Sequence, residues 1–295
     1  MTTGANMTYM HEHLRIDLSA EKGDPDCLLD QFDLVRDELS RLSGKGLGRV
    51  VDMSCRGLGR DYGYIDRMEK ETGINVIVST GFYKDPFLPP VVENSDIQKL
   101  ADLMIDDIET GAEGSNRKAQ IIGEIGTSRN RITENEKKVF CAAAAAHEKT
   151  GVPVSTHTTM GTMSQEQITL LVSLGVDPAR LIIGHLDLAN DIDLILKGLD
   201  AGVYIEFDTI GKTNYLPDET RIDFIKTCCE RGYVRQLLLS MDITRRSHLR
   251  ANNGPGYSYL VDTFLPRLLE AGISQASIDD MLIHNPDRIF SKGQQ

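Results

Sequence analysis

Eight short apolar runs, each followed by a stretch of helical periodicity, divide the 295-residue chain from end to end. They read as strands at 8–14, 49–54, 75–80, 119–126, 152–158, 181–186, 203–208 and 236–242. Between them the apolar spacing is helical. Leu28, Leu29, Phe32, Val35, Leu39 and Leu42 recur up to Gly44, and Leu100, Leu103, Met104 and Ile108 follow Ser95. Thr133-x-x-Glu136 is a capping-box signature for the Ala-rich helix after the fourth run. Later helices are expected over 164–174, 191–199, 218–229 and 257–269, with a last segment over 278–290 interrupted before Pro286.

Strict strand-helix alternation with mostly apolar strands points to a parallel sheet covered on both faces. Eight units are the number that closes a barrel, so the expected fold is a single α/β domain over residues 1–295, a (β/α)8 TIM barrel. A doubly wound open sheet is the alternative. It would carry a glycine-rich phosphate fingerprint after the first strand, and here that strand ends in His11-Glu12-His13 instead.

Composition narrows the partners. A net charge of -12 argues against nucleic acid and against an anionic membrane surface, both of which reward positive charge. The five cysteines form no C-x-x-C pair, which suits a reducing, cytoplasmic setting. No apolar window approaches the roughly twenty residues of a membrane span. A small-molecule, anionic substrate is expected, with a homodimer the one assembly entertained.

On an extended strand His11 and His13 project to the same face, and two neutral imidazoles there make a metal-ligand pair. Taken alone they read first as two surface histidines on an edge strand. The chain adds Glu124 in the fourth run, His157 in the fifth, His185 in the sixth and Asp242 at the end of the eighth. In a barrel of this kind the C-terminal strand ends converge on one face, so these six could meet. Each also has a plainer reading: His157 and His185 as hydrogen-bonded core residues, Asp242 as a turn cap. Glu124 would be costly to bury in an apolar strand without a partner. Strand periodicity places it with Ile122 and Gly126, opposite Gly123 and Ile125. Glu12 should point away from its two neighbours, and no catalytic role is assigned to it.

The stretches His11-Glu12-His13, 122–128 (Ile-Gly-Glu-Ile-Gly-Thr-Ser), 155–158 (Ser-Thr-His-Thr), Ile183-Gly184-His185 and 240–244 (Ser-Met-Asp-Ile-Thr) resemble the phosphotriesterase-like branch of the amidohydrolase superfamily. The resemblance implies two divalent ions, with zinc the first expectation and manganese, cobalt or iron the others. It implies that His11, His13 and Asp242 hold the more buried ion, that His157 and His185 hold the more exposed one, and that Glu124 bridges them. The family's phosphotriesterases use a carboxylated lysine as the bridge, and this stretch has no lysine. Two ions about 3.5–4 Å apart can share a hydroxide and polarise a carbonyl or phosphoryl oxygen. Asp242 could then take the hydroxide's proton and pass it to the leaving group.

Several basic and aromatic residues lie just past strand ends, including Arg56, Arg60, Lys84, Arg246 and His248. They read either as contacts for an anion or as ordinary solvated loop charges. Relatives in this branch include lactonases for phosphorylated sugar lactones. By that resemblance Tyr83, Lys212 and Arg245 are expected to contact a remote phosphate. The expected function is hydrolysis of a lactone or other carboxylic ester. A phosphotriesterase or phosphodiesterase is the alternative, and a non-catalytic metal- or metabolite-binding barrel is the reading from another class. The Gly/Asn-rich stretch 251–256 is either a mobile lid or an ordinary loop.

Overall fold

A computed structural model describes residues 6–291. The ends of the expected 1–295 domain, residues 1–5 and 292–295, lie outside the described residues. The chain opens with β1 (Met7–Glu12), β2 (Ile16–Asp17), α1 (Ser19–Lys22), β3 (Leu28–Leu29) and α2 (Phe32–Ser43). Then come β4 (Leu47–Asp52), α3 (Tyr62–Thr72), β5 (Asn75–Thr80), α4 (Pro90–Glu93) and α5 (Ile97–Glu109). The middle holds β6 (Ile121–Thr127), α6 (Glu134–Thr150), β7 (Val154–Thr158), α7 (Ser164–Ser173), β8 (Leu181–Gly184) and α8 (Ile192–Asp200). The last elements are β9 (Tyr204–Phe207), α9 (Asp218–Glu230), β10 (Leu237–Leu239), α10 (Leu265–Glu270), α11 (Gln275–Asp279) and α12 (Asn285–Phe290).

Eight strands form one sheet in the order β1-β4-β5-β6-β7-β8-β9-β10, with parallel register in β1/β4 and from β5 through β9. The order follows the chain, as right-handed strand-helix-strand crossovers dictate. Past β10 the Asp242 N–H donates to the His11 carbonyl at 3.2 Å, and the Ser240 hydroxyl lies 2.8 Å from the same oxygen. The last strand thus ends beside the first, and the fold is the (β/α)8 barrel that the alternation predicts.

The chain divides into two compact units. The first holds residues 6–54, 59–77 and 207–286; the second holds 55–58, 78–206 and 287–291. In the first, β1 is buried along its whole length, and the Tyr9 hydroxyl donates to the Tyr257 carbonyl at 3.1 Å. In the second, Asp107 of α5 is fully buried, and it takes both the Arg56 guanidinium and the Thr80 hydroxyl. Arg56 is therefore a structural ion pair rather than a cation on the rim.

Local departures from the sequence reading have local causes. Leu28 and Leu29 are not the start of α2; they pair antiparallel with Ile16 and Asp17 in a small ribbon. Helix α5 is capped by Asp96, whose carboxylate accepts from the Lys99 N–H at 2.8 Å, one residue later than Ser95. The expected helix over 257–269 begins as a wide π-type turn at Leu260–Phe264 before α10. Pro286 does not break the last helix: the helix runs on from α11 through a wide π-type turn at Asp280–His284 into α12, and that wider turn just before Pro286 accommodates its missing N–H.

Candidate metal centre

In the first unit, β1 delivers His11 and, one residue past its end, His13, both fully buried. Their rings meet edge to face at 5.6 Å. One nitrogen of His13 is hydrogen-bonded elsewhere, and one of His11 faces a carboxylate. The Ser54 hydroxyl donates to the Arg15 carbonyl at 3.0 Å, so its oxygen accepts from His13 Nδ1–H at 2.9 Å. Asp208 Oδ2 stands 3.4 Å from His11 Nδ1 and favours a proton there. Both Nε2 atoms then turn lone pairs towards Asp242 Oδ1, at 3.3 Å from His13 and 3.8 Å from His11. Electron-rich atoms converging in a buried place call for a cation between them, and imidazole nitrogen with carboxylate oxygen is a divalent transition-metal donor set.

Asp242 is not a strand residue. Strand β10 stops at Leu239, and Asp242 adopts a left-handed backbone with φ of +50°. Glu12 causes the departure. Its buried carboxylate accepts from the N–H groups of Met241 at 2.7 Å and Ile243 at 3.1 Å, and from the Ser240 hydroxyl at 2.9 Å. Burial pushes the Glu12 carboxyl up to about 7, against the pull of those three donors. Glu12 takes no place in the ligand set; it holds the turn that presents Asp242. The other Asp242 oxygen is paired with the Lys212 ammonium, and Lys212 is only 5% exposed. Lys212, expected on the rim, is thus buried against the Asp242 carboxylate.

In the second unit, Glu124, His157 and His185 bring three ligand atoms within 4.8 Å of one another. Glu124 Oε2 lies 3.0 Å from His157 Nδ1 and 3.6 Å from His185 Nε2, and the two rings meet edge to face at 4.5 Å. Burial, with His185 close by, pushes the His157 imidazole down to about 4, while Glu124 pulls the other way. At neutral pH the ring is uncharged and offers a lone pair. Glycine is required at 123, whose φ is +141°; a Cβ there would sit 2.4 Å from the Ser155 carbonyl oxygen. Strand β6 shifts register between Ile122 and Ile125, so simple alternation does not describe the stretch that carries Glu124. His185, like Asp242, stands just past its strand in the left-handed region, with φ of +59°.

The remaining expected contacts divide. The Tyr83 hydroxyl lies 3.2 Å from His157 Nδ1, its ring edge to face with the imidazole at 4.9 Å. Arg245 is clasped by Asp24 at 2.8 Å and Asp26 at 3.5 Å. Arg246 is bound to the Leu28 carbonyl, and Arg60 stacks over Tyr62. Burial, with Lys212 near, pushes the His248 imidazole down to about 3, and its Nδ1 accepts from the Thr244 N–H. The stretch 251–256 is tied down: Gly254 N–H donates to Leu249 and Gly256 N–H to His248, while Glu38 accepts from the N–H groups of Arg250 and Tyr257. A Cβ at Gly254 would lie 2.2 Å from the Ser247 carbonyl oxygen, so that glycine answers a close approach rather than a hinge. Sequence reasoning missed Ser54 and Asp208, which orient the two imidazoles. Asp208 had a signal, since it ends the seventh apolar run as Asp242 ends the eighth.

The model of the phosphotriesterase family matches residues 2–290. The chain belongs to that family. The phosphotriesterase homology protein of Escherichia coli is 49% identical over 283 residues, 96% of this chain and 97% of that one. A crystal structure of that relative, described as complexed with phosphate in its active site, superposes with a TM-score of 0.95 over 98% of this chain and all of the other. Within the family an N-acetyltaurine hydrolase of Xenopus tropicalis is 31% identical, covering 88% of this chain and 77% of its own. A lactonase of Listeria monocytogenes superposes with a TM-score of 0.92 at 28% identity, over 97% and 94% of the two chains.

Proposed function

We propose that this chain is a metal-dependent hydrolase that opens a carboxylic ester or lactone. The observation that carries the reading is the state of His13. Its Nδ1–H is committed to Ser54, and its Nε2 lone pair faces Asp242 Oδ1 at 3.3 Å. His11, His13 and Asp242 would hold one divalent ion and His157 and His185 another. Glu124 is the proposed shared carboxylate, a role taken from the family resemblance. When bound, such ions supply Lewis acidity towards the substrate's carbonyl and acidify a coordinated water. The chain's own residues do the rest. Asp242 takes the proton of the attacking water on Oδ1 and returns it to the leaving oxygen, while Lys212 compensates the carboxylate's charge through Oδ2. Tyr83, whose hydroxyl lies beside His157, is the proposed hydrogen-bond donor to the substrate.

Metal content decides the first step. Protein purified without chelator should carry about two equivalents, and Glu124→Gln fewer. One equivalent or none in the parent, with the mutant unchanged, would overturn the shared-carboxylate role of Glu124 and leave a mononuclear site or the non-catalytic reading. The loaded protein should then turn over members of a lactone and ester panel, and Asp242→Asn should not. The substrate is expected to be anionic, as the phosphate in the E. coli relative's active site suggests. Lys212→Ala should lower kcat for phosphorylated and neutral lactones alike, because it removes the partner of Asp242, whereas Arg245→Ala should raise KM for a phosphorylated lactone far more than for a neutral one. The same phosphate favours a second reading, phosphotriester or phosphodiester hydrolysis, which faster turnover of paraoxon or a phosphodiester than of any lactone would establish.

A further inference from the structure

A cavity of about 460 Å³ lies in the second unit, walled by the turns that follow His157 and His185 and by the amino end of α7. Its volume suits a small molecule. Gly161 closes one wall: a Cβ there would lie 2.3 Å from the Ala189 backbone nitrogen, so the two turns abut. Helix α7 opens without a side-chain cap. Its N-cap residue is Met163, in the left-handed region with φ of 65°, and its first-turn N–H groups face out of the helix end. Ser164, the first helical residue, lines the cavity and is 1% exposed, yet its hydroxyl has no hydrogen-bond partner among the described residues. The buried side-chain amide nitrogen of Gln165, also in the lining, is in the same condition. Buried polar atoms are ordinarily satisfied, and two unsatisfied donors at one helix end point to an acceptor that arrives from outside.

The charges and the apolar lining say what kind of acceptor. Arg129 and Glu166 are the charged residues of the wall and cancel, which leaves the helix end, worth about half a positive charge. That balance favours a monoanion over a dianionic phosphate. Met160, Met163, Leu188 and Leu194 supply an apolar wall. We propose that this cavity binds a small carboxylate with a short aliphatic chain. The carboxylate sits at the amino end of α7 on the Ser164 hydroxyl, and the chain lies against Met160, Leu188 and Leu194. Assigning this ligand to the acid released by ester hydrolysis rests on the proposed hydrolase reading; the binding site itself does not.

The test is calorimetric titration of the metal-loaded full chain with acetate, butyrate, hexanoate and inorganic phosphate. Hexanoate should bind one to one and at least about tenfold tighter than acetate, since each buried methylene adds affinity. Ser164→Ala, checked for an unchanged melting temperature, should weaken hexanoate by about tenfold through the lost hydrogen bond to a charged group. Leu194→Asn should abolish the advantage of hexanoate over acetate, and Glu124→Gln or His157→Asn should leave hexanoate binding intact. The proposal is overturned if hexanoate affinity is unchanged in both cavity variants, if it vanishes with the metal-ligand variants, or if phosphate binds tighter than hexanoate. The hydrolase reading fails separately, by absence of ester or lactone turnover while hexanoate still binds.

Discussion

A hydroxyl 41 residues away settles which nitrogen of His13 carries the proton, and with it whether the ring can hold a cation. Removing that hydroxyl in Ser54→Ala should leave the fold intact and lower metal affinity by about ten- to a hundredfold, measured by chelator competition. A wild-type affinity in that variant would mean that the tautomer is fixed by something else. The cysteines allow a second prediction at this scale. Burial pushes the Cys228 thiol up to about 12 and the Cys229 thiol up to about 11. Both stay protonated well above neutral pH, so native protein at pH 8 should alkylate slowly at these two positions. Denatured protein should alkylate fast, and peptide mapping separates the cases. The candidate ligand residues themselves were legible as residue types at strand ends. Ser54, Asp208 and Glu12 were not, because what makes them matter is a partner brought close by the fold and invisible in the spacing.

Elements were legible where their cause is local. Thr133 and Glu136 form the capping box that the sequence announces: the Thr133 hydroxyl accepts from the Glu136 N–H at 3.2 Å, and the Glu136 carboxylate accepts from the Thr133 N–H at 2.8 Å. Thr133 also donates to Asp85, so Thr133→Ala removes two contacts at once. It should cost about 1–2 kcal/mol in denaturant unfolding. A cost near zero would show that Glu136, which also binds the Ser128 hydroxyl, holds this helix end alone. Elements with distant causes were misread. The apolar pair Leu28-Leu29 carries helical spacing, but tertiary pairing with Ile16 and Asp17 makes it a strand. The eighth strand reads as running to Asp242, yet Glu12 takes the N–H groups of Met241 and Ile243 and ends the ladder earlier.

Across the whole molecule the eightfold alternation made the fold legible, because a period repeated along the entire chain survives several misplaced boundaries. The pairing of the last strand's end with the first is carried by a backbone hydrogen bond, from Asp242 to His11, and by the Ser240 and Glu12 side chains, and no periodicity reports it. Metal should also be felt at this scale. A ligand that binds only the folded chain, present at a hundred times its dissociation constant, stabilises by about 2.7 kcal/mol. Exhaustive chelation should therefore lower the melting temperature by roughly 5 °C or more, with recovery on adding zinc or manganese. No change on chelation, in protein shown to contain metal, would place the ions outside the folded core.

The way the two units share the chain imposes an order on biogenesis. The second is drawn almost wholly from one continuous middle stretch, 78–206, whereas the first combines 6–54 with 207–286. As the ribosome releases the chain, Glu124, His157 and His185 are all present while His11 and His13 still wait for Asp242. At about 5–20 residues per second, translating 207–286 takes roughly 4–16 s. For that interval β1 has β4 to pair with along one edge, while the chain segment that lies along its other edge, at Ser240 and Asp242, does not yet exist.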